Sequence, residues 1–337
     1  MFHLGIATHG RDEGAEEADR GDLPGERPSP PADQHDLRNA ARHFGRSHSV
    51  GRGDDPPNAG EGDDLIREPD PGNVPRRRRG RAGSRSGEAA VSMSIFVTGD
   101  THGGFQRFED QYFPEQRGMS RNDSVIVCGD FGGLWSGSLT EEYWLENKPF
   151  TTLFLDGNHE NFNILNALPE KMWNGGRVHE VRPHVLHLMR GQVFEIEGYT
   201  FFAMGGASSH DIWDGILDPA KPDFEARYWS MRRQRAVFRV KGVSWWPEEL
   251  PSDEEYEEAR RNLDAHGWVI DYVLTHCAPT SIARKIIPDG QEDCLMEFLE
   301  AVKQRGAFHY WLFWHLHDNR AIDQKYILLW EQIVQII

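Results

Sequence analysis

From Met93 onward, short apolar runs alternate with polar tips. Ile95-Phe96-Val97 leads into Gly99-Asp100-Thr101-His102-Gly103, and the mixed stretch at 105–116 predicts a helix. Residues 125–128 run into Gly129-Asp130, a helical pattern follows near 140–146, and 153–155 run into Gly157-Asn158-His159-Glu160. These apolar runs are continuous rather than alternating, the pattern of strands covered on both faces. The polar tips recur about every 30 residues, the length of a strand-helix-strand unit. An α/β layered fold follows.

The middle of the chain changes style. Runs at 185–188, 193–196 and 200–204 are separated by Arg190-Gly191 and Glu197-Gly198, which predicts antiparallel hairpins. Residues 208–250 form a long irregular insert carrying Trp213, Trp229, Trp245 and Trp246. Inserts of this length inside a domain are usually functional or mobile. This one is expected to supply local core or to cap a site. Beyond it the pattern predicts a helix at 253–265, a strand at 268–274 ending in Thr275-His276, and a helix at 291–304. A strand at 310–314 then ends in His315-Leu316-His317, and one or two closing strands fall within 325–337. No internal sequence repeat is present.

Composition divides the chain at Met93. Residues 1–92 are crowded with Arg, Asp, Glu, Gly and Pro and lack apolar runs, so they cannot offset their ordering entropy and are expected to be disordered. Either this is a tail whose Arg76-Arg77-Arg78-Arg79 run serves nucleic-acid binding or targeting, or translation starts at Met93 and the upstream stretch reflects a wrongly chosen start. The formal net charge is −17. The part after residue 92 is itself acidic, which argues against a broad nucleic-acid footprint for the folded domain. Cys128, Cys277 and Cys294 are too few for a disulfide framework, and Cys277 reads as a packed residue rather than a ligand. No apolar stretch reaches the roughly 18 residues of a membrane span. A cytoplasmic protein is expected.

The chemistry lies at the strand ends. Asp100 and His102, Asp130, Asn158 and His159, His276, and His315 with His317 each follow a predicted strand. In layered α/β folds the carboxyl ends of strands converge where ligands bind. Mixed carboxylate and imidazole donors suit Mn, Fe or Zn. Ser208, Ser209 and Asp211 follow Gly205-Gly206-Ala207 and are further candidates to line the site. His179, His184, His187, His210, His266 and His309 carry no spacing signal and read as structural.

The ordered set Gly-Asp-x-His, Gly-Asp, Gly-Asn-His-Glu, a lone His and His-x-His resembles the calcineurin-like metallophosphoesterase family over residues 93–320. The resemblance implies an α/β/β/α sandwich with mixed sheets and two divalent metal ions, Mn first and Fe or Zn as alternatives. Asp100, His102 and His317 would hold one ion, Asn158, His276 and His315 the other, and Asp130 would bridge them. A hydroxide shared by the ions would attack a phosphomonoester, phosphodiester or nucleotide-type substrate, with His159 as general acid. A small phosphorylated substrate is expected. A nuclease and a non-catalytic, metal-stabilised scaffold that binds a partner are the rival functions. Two departures stand out. No arginine follows Asp130, unlike the Asp-Arg-Gly of the protein serine/threonine phosphatase branch, and Trp314 replaces the glycine usual before His-x-His.

Overall fold

A computed structural model describes residues 93–135 and 140–337. The expectations for residues 1–92 lie outside the described residues. In chain order the elements begin with β1 (Ile95–Thr98), β2 (Ser124–Cys128), α1 (Thr140–Glu146), β3 (Thr151–Leu155) and α2 (Phe162–Leu165). Next come β4 (Glu170–Trp173), β5 (Gly176–Arg182), β6 (Val185–Leu188), β7 (Gln192–Ile196) and β8 (Tyr199–Met204). The insert contributes β9 (Ile216–Leu217), α3 (Phe224–Gln234) and β10 (Arg239–Val240). The chain continues through α4 (Asp253–Ala265), β11 (Tyr272–Thr275), α5 (Thr280–Ala283) and α6 (Cys294–Arg305). It closes with β12 (Tyr310–Phe313), β13 (Arg320–Ile322), β14 (Tyr326–Leu328) and β15 (Val334–Gln335).

Two mixed sheets result, ordered β15-β1-β2-β3-β6-β5-β4 and β13-β14-β12-β11-β8-β7. Strands β1, β2, β3 and β6 run parallel in the first, and β8, β11, β12 and β14 in the second. Successive side chains on a strand point to opposite faces. Val97, Ile126 and Leu153 therefore meet Phe201, Leu274 and Leu312 between the sheets. Phe96, Val125 and Phe154 face outward against Phe108, Phe150 and Phe162. On the far side, Phe202, Val273 and Trp311 pack against α4 and α6 through Ala259, Leu263, Leu295 and Leu299. Both faces of the central strands are buried, which explains their unbroken apolar runs and makes the fold the α/β/β/α sandwich. Each fully buried Phe or Leu contributes about 1.5–3 kcal/mol.

Some local expectations change. The helix at 105–116 is instead two 3-10 turns, Phe105–Phe108 and Pro114–Gly118. Pro114 has no N–H to continue a helix, and the Gln116 side chain caps the region by donating to the carbonyls of Phe108 (3.0 Å) and Phe113 (2.8 Å). Strands β7 and β8 do form the expected hairpin. Strand β6 belongs to the other sheet, so Arg190-Gly191 carries the chain between sheets rather than around a hairpin. A hairpin the patterning misses joins β4 to β5 through Asn174 and Gly175, at φ 46° and 91°. The strand at 268–274 starts only at Tyr272, because Trp268 is left-handed at φ 58°. Helix α4 has the expected bounds, set by a capping box between Ser252 and Glu255.

The insert at 208–250 is partly regular. Strands β9 and β10 pair in parallel, and α3 buries none of its residues. Its tryptophans divide. Trp246 is buried against Trp135 and Phe162, whereas Trp213 and Trp229 are exposed. Among the described residues, no helix is long and apolar enough to cross a membrane.

Candidate metal centre

Five loops, each following a parallel strand, meet at one edge of the sandwich. The loops after β1 and β2 are tied by backbone, with the amides of Thr101 (3.2 Å) and His102 (2.8 Å) donating to the Asp130 carbonyl. The loop after β3 joins them when the His159 amide donates to Asp130 Oδ1 at 2.7 Å. Glu160 accepts from the Phe131 amide at 2.6 Å and locks the same pair of loops. The loops after β11 and β12 are linked by the Trp314 amide donating to the His276 carbonyl at 3.0 Å.

These ties bring the donor atoms together. Asp100, His102 and His317 offer ligand atoms within 4.8 Å of one another, and so do Asp100, Asp130 and His276. His317 Nε2 lies 3.0 Å from Asp100 Oδ2, and His102 Nε2 lies 3.7 Å from Asp130 Oδ2. Buried His276 is held through Nδ1, 3.2 Å from the Cys128 carbonyl, which leaves Nε2 facing Asn158 Oδ1 at 3.3 Å and Asp130 Oδ1 at 3.6 Å. A ring nitrogen fixed by a carbonyl in this way directs the other toward a ligand. His315 lies outside both groups. Its ring sits 5.0 Å from that of His276, and its Nε2 meets His210 Nε2 at 2.7 Å.

The donor set fits a divalent cation. Asp100 is buried, and no hydrogen-bond donor addresses either of its carboxylate oxygens with bonding geometry. His317 Nε2, 3.0 Å from Asp100 Oδ2, is the near neighbour that can answer this carboxylate when the ring is protonated, and it converges with it on one point when the ring is neutral. A buried carboxylate left in that condition costs several kcal/mol unless a positive charge meets it. Charges follow the same logic. Burial alone would raise the Asp130 carboxyl, but His276, His159 and His102 hold it well below the usual carboxylate range. Burial, with His210 and His276 alongside, pushes His315 well below the ordinary imidazole value, so the ring is neutral. Partial burial would lower His317, yet the hydrogen bond and charge of Asp100 raise it.

Gly129 is obligatory here. At φ 112° it turns the chain, and a Cβ would collide with His276 Nδ1. Trp314, the residue in place of the usual glycine, is accommodated at Gly99, where a Cβ would strike the indole. The ring is buried between the sheets, and His315 and His317 still follow it into the site.

Of the further candidates Ser208, Ser209 and Asp211, two reach the surroundings, where Glu249 and Arg239 join them. Ser209 Oγ accepts from Asn158 Nδ2 at 3.3 Å and donates to Glu249 at 2.8 Å. Burial raises Glu249 to about 8 against the effect of the two Ser209 donors. Asp211 lies at the site bonded to Arg239, whereas Ser208 turns away to Asp293. Arg239 Nη2 also reaches His159 Nδ1 at 3.3 Å. His210 was detectable in principle, because it follows β8, the neighbour of β11. Arg239 carries no local signal, since only the fold of the insert delivers it.

The chain belongs to the calcineurin-like phosphoesterase family, whose model matches residues 93–319. Members of this class typically bind divalent metals, in keeping with the candidate ligand groups here. Among individual proteins, the lariat debranching enzyme of Drosophila melanogaster is 28% identical over 172 residues, covering 45% of this chain and 31% of that enzyme. The Homo sapiens lariat debranching enzyme is 26% identical over 170 residues, covering 45% and 29%. The match thus spans under a third of the relatives' length. A phosphopantetheinyl hydrolase structure from Mycobacterium tuberculosis aligns with a TM-score of 0.34 at 14% identity, covering 72% of this chain and 91% of that one.

Proposed function

We propose that this protein is a two-metal hydrolase of phosphate esters, in which Asp100, His102 and His317 hold one divalent cation and Asn158, His276 and His315 the other, with Asp130 between them. The observation that carries this reading is the buried Asp100 carboxylate at the point where His102, His276 and His317 converge. When bound, such ions would polarise the phosphoryl oxygens and acidify water. Manganese is the first ion to test.

The protein's own part is orientation and proton delivery. Asp130 positions His159 through the backbone amide. Arg239 can only donate, so Nδ1 of His159 accepts and the neutral ring carries its proton on Nε2. To act as general acid the ring would enter the reaction as imidazolium, with Arg239 released and a second proton on Nδ1. Nε2 then gives its proton to the departing alkoxide and returns the ring to the neutral state. Burial lowers His159 first, and Arg239 lowers it further, against the pull of Asp130. His159→Ala is expected to lower kcat by about 10²–10⁴-fold on esters with poor leaving groups. The test compares p-nitrophenyl phosphate and bis-p-nitrophenyl phosphate, and phenyl phosphate as the poorer leaving group, with added Mn²⁺, with chelator, and with this variant. Turnover that ignores chelator would refute the reading.

A small phosphate ester is the first substrate class, given the acidic domain. A nucleic-acid phosphodiester is the second reading, supported by likeness to lariat debranching enzymes and by exposed Arg227, Arg232, Arg233 and Arg235 on and after α3. Three unpaired cysteines support a reducing, cytoplasmic setting.

A further inference from the structure

Arg239 sits where a catalytic site needs a cation that is not a metal. Its backbone is fixed by pairing within the insert, with its amide donating to the Gly215 carbonyl at 3.2 Å and its Cα in register with Ile216. Its side chain is 13% exposed and ends between Asp211 and His159. Both contacts use Nη2. The N–H groups of Nη1 and Nε stay uncommitted among the described residues.

The neighbourhood explains why this matters. His159 is one residue from Asn158, its amide is bonded to Asp130, and its ring lies 5.4 Å from that of His102. The guanidinium is therefore one side chain away from the ligand cluster. Arg107, the other guanidinium at these loops, is spent behind them on the carbonyls of Gly99 (3.2 Å), Asp100 (2.7 Å) and Trp330 (3.1 Å). A phosphoryl group held by cations on one side presents its remaining oxygens to the opposite wall. Planar guanidinium donors match those oxygens in pairs. The acid partner is displaceable, because the Asp211 side chain is 38% exposed.

We infer that Arg239 is the phosphate clamp of this site, delivered by the insert and parked on Asp211 until a phosphate ester's non-bridging oxygens replace that carboxylate. The inference rests on the proposed hydrolase reading. A plain alternative is that Arg239 and Asp211 merely clip the insert to the domain.

Inorganic phosphate is the probe, titrated calorimetrically into the full chain loaded with Mn²⁺. Arg239→Ala should weaken phosphate by about tenfold or more and raise KM for p-nitrophenyl phosphate, with bound Mn²⁺ unchanged. Arg239→Lys should recover part of the loss, as a point charge without the fork. Asp211→Asn should leave phosphate bound at least as tightly, since the guanidinium no longer has to be released. Equal weakening by Arg239→Ala and Asp211→Asn would identify the clip and overturn the clamp, as would unchanged phosphate affinity in Arg239→Ala. A parent chain that takes up neither Mn²⁺ nor phosphate defeats the hydrolase reading and the clamp together. A parent that hydrolyses ester while Arg239→Ala matches it in KM defeats the clamp alone.

Discussion

His102, Asp130, His315 and His317 all adopt left-handed backbone, at φ 45°, 40°, 57° and 45°. Each such residue costs on the order of 1 kcal/mol or more, and this strain collects where the ligand atoms must turn inward from a strand end. Asp100 carries a second kind of cost, a buried carboxylate answered only by His317 and only while that ring holds a proton. This second cost predicts opposite signs for one substitution with and without metal. In chelator, and at a pH high enough that His317 has lost its proton, Asp100→Asn should stabilise the protein by roughly 1–3 kcal/mol, because an amide tolerates burial better than an unpaired charge. With Mn²⁺ present the same variant should melt below the parent. Paired thermal melts with and without metal decide it, and destabilisation in both conditions would mean that Asp100 already has its partner within the protein.

Among the elements, β5, β6 and the end of β3 share a buried polar chain that is distinct from the candidate metal ligands. His179 Nδ1 meets His187 Nδ1 at 3.0 Å, His187 Nε2 meets Asp156 Oδ1 at 3.0 Å, and Arg190 donates to Asp156 Oδ2 at 2.8 Å. Burial, with His187 and Arg177 nearby, lowers His179 from the ordinary 6.5 to about 4, against the pull of Asp156. The unfolded chain therefore takes up a proton at His179 that the fold refuses. Its contribution is intact above pH 6.5 and is lost as pH falls from there to about 4. Urea midpoints at pH 7 and pH 5 should differ in the parent and converge in His179→Asn, and an unaltered pH slope in that variant would place the sensitivity elsewhere. Elements also differ in how legible they were. Strands β1, β2 and β3 announced themselves because both faces are buried. Strand β4 alternates exposed and half-buried residues at a sheet edge, so Glu170 to Trp173 showed no apolar run. The candidate metal ligands stand out by their place after strands, and the fold gathers Asp100, His102, Asp130, His276 and His317. Arg239 was not, because its approach to His159 depends on an 80-residue separation closed only by the fold.

Across the whole folded part, each proposed cation draws on both sheets. Asp100 and His102 come from the first sheet and His317 from the second, while Asn158 comes from the first and His276 and His315 from the second. Ions bound this way act as bolts through the sandwich, and binding to the native state alone raises stability by mass action. The melting temperature should climb with Mn²⁺, by an amount equivalent to ~2.7 kcal/mol at ~100 times the dissociation constant, and fall back in chelator. A melt indifferent to metal would separate the ligand cluster from the stability of the sandwich. The contact between Gly99 and Trp314 crosses the same divide from within. Because the indole shares with the Trp330 carbonyl the space a side chain at position 99 would need, positions 99 and 314 are not free to vary independently. Gly99→Ala alone should force the sheets apart and misplace ligands on both, whereas Gly99→Ala joined to a smaller residue at 314 should recover part of the loss. In a library selected for activity, these two positions should therefore show epistasis, and the size of one residue should be inherited with the size of the other.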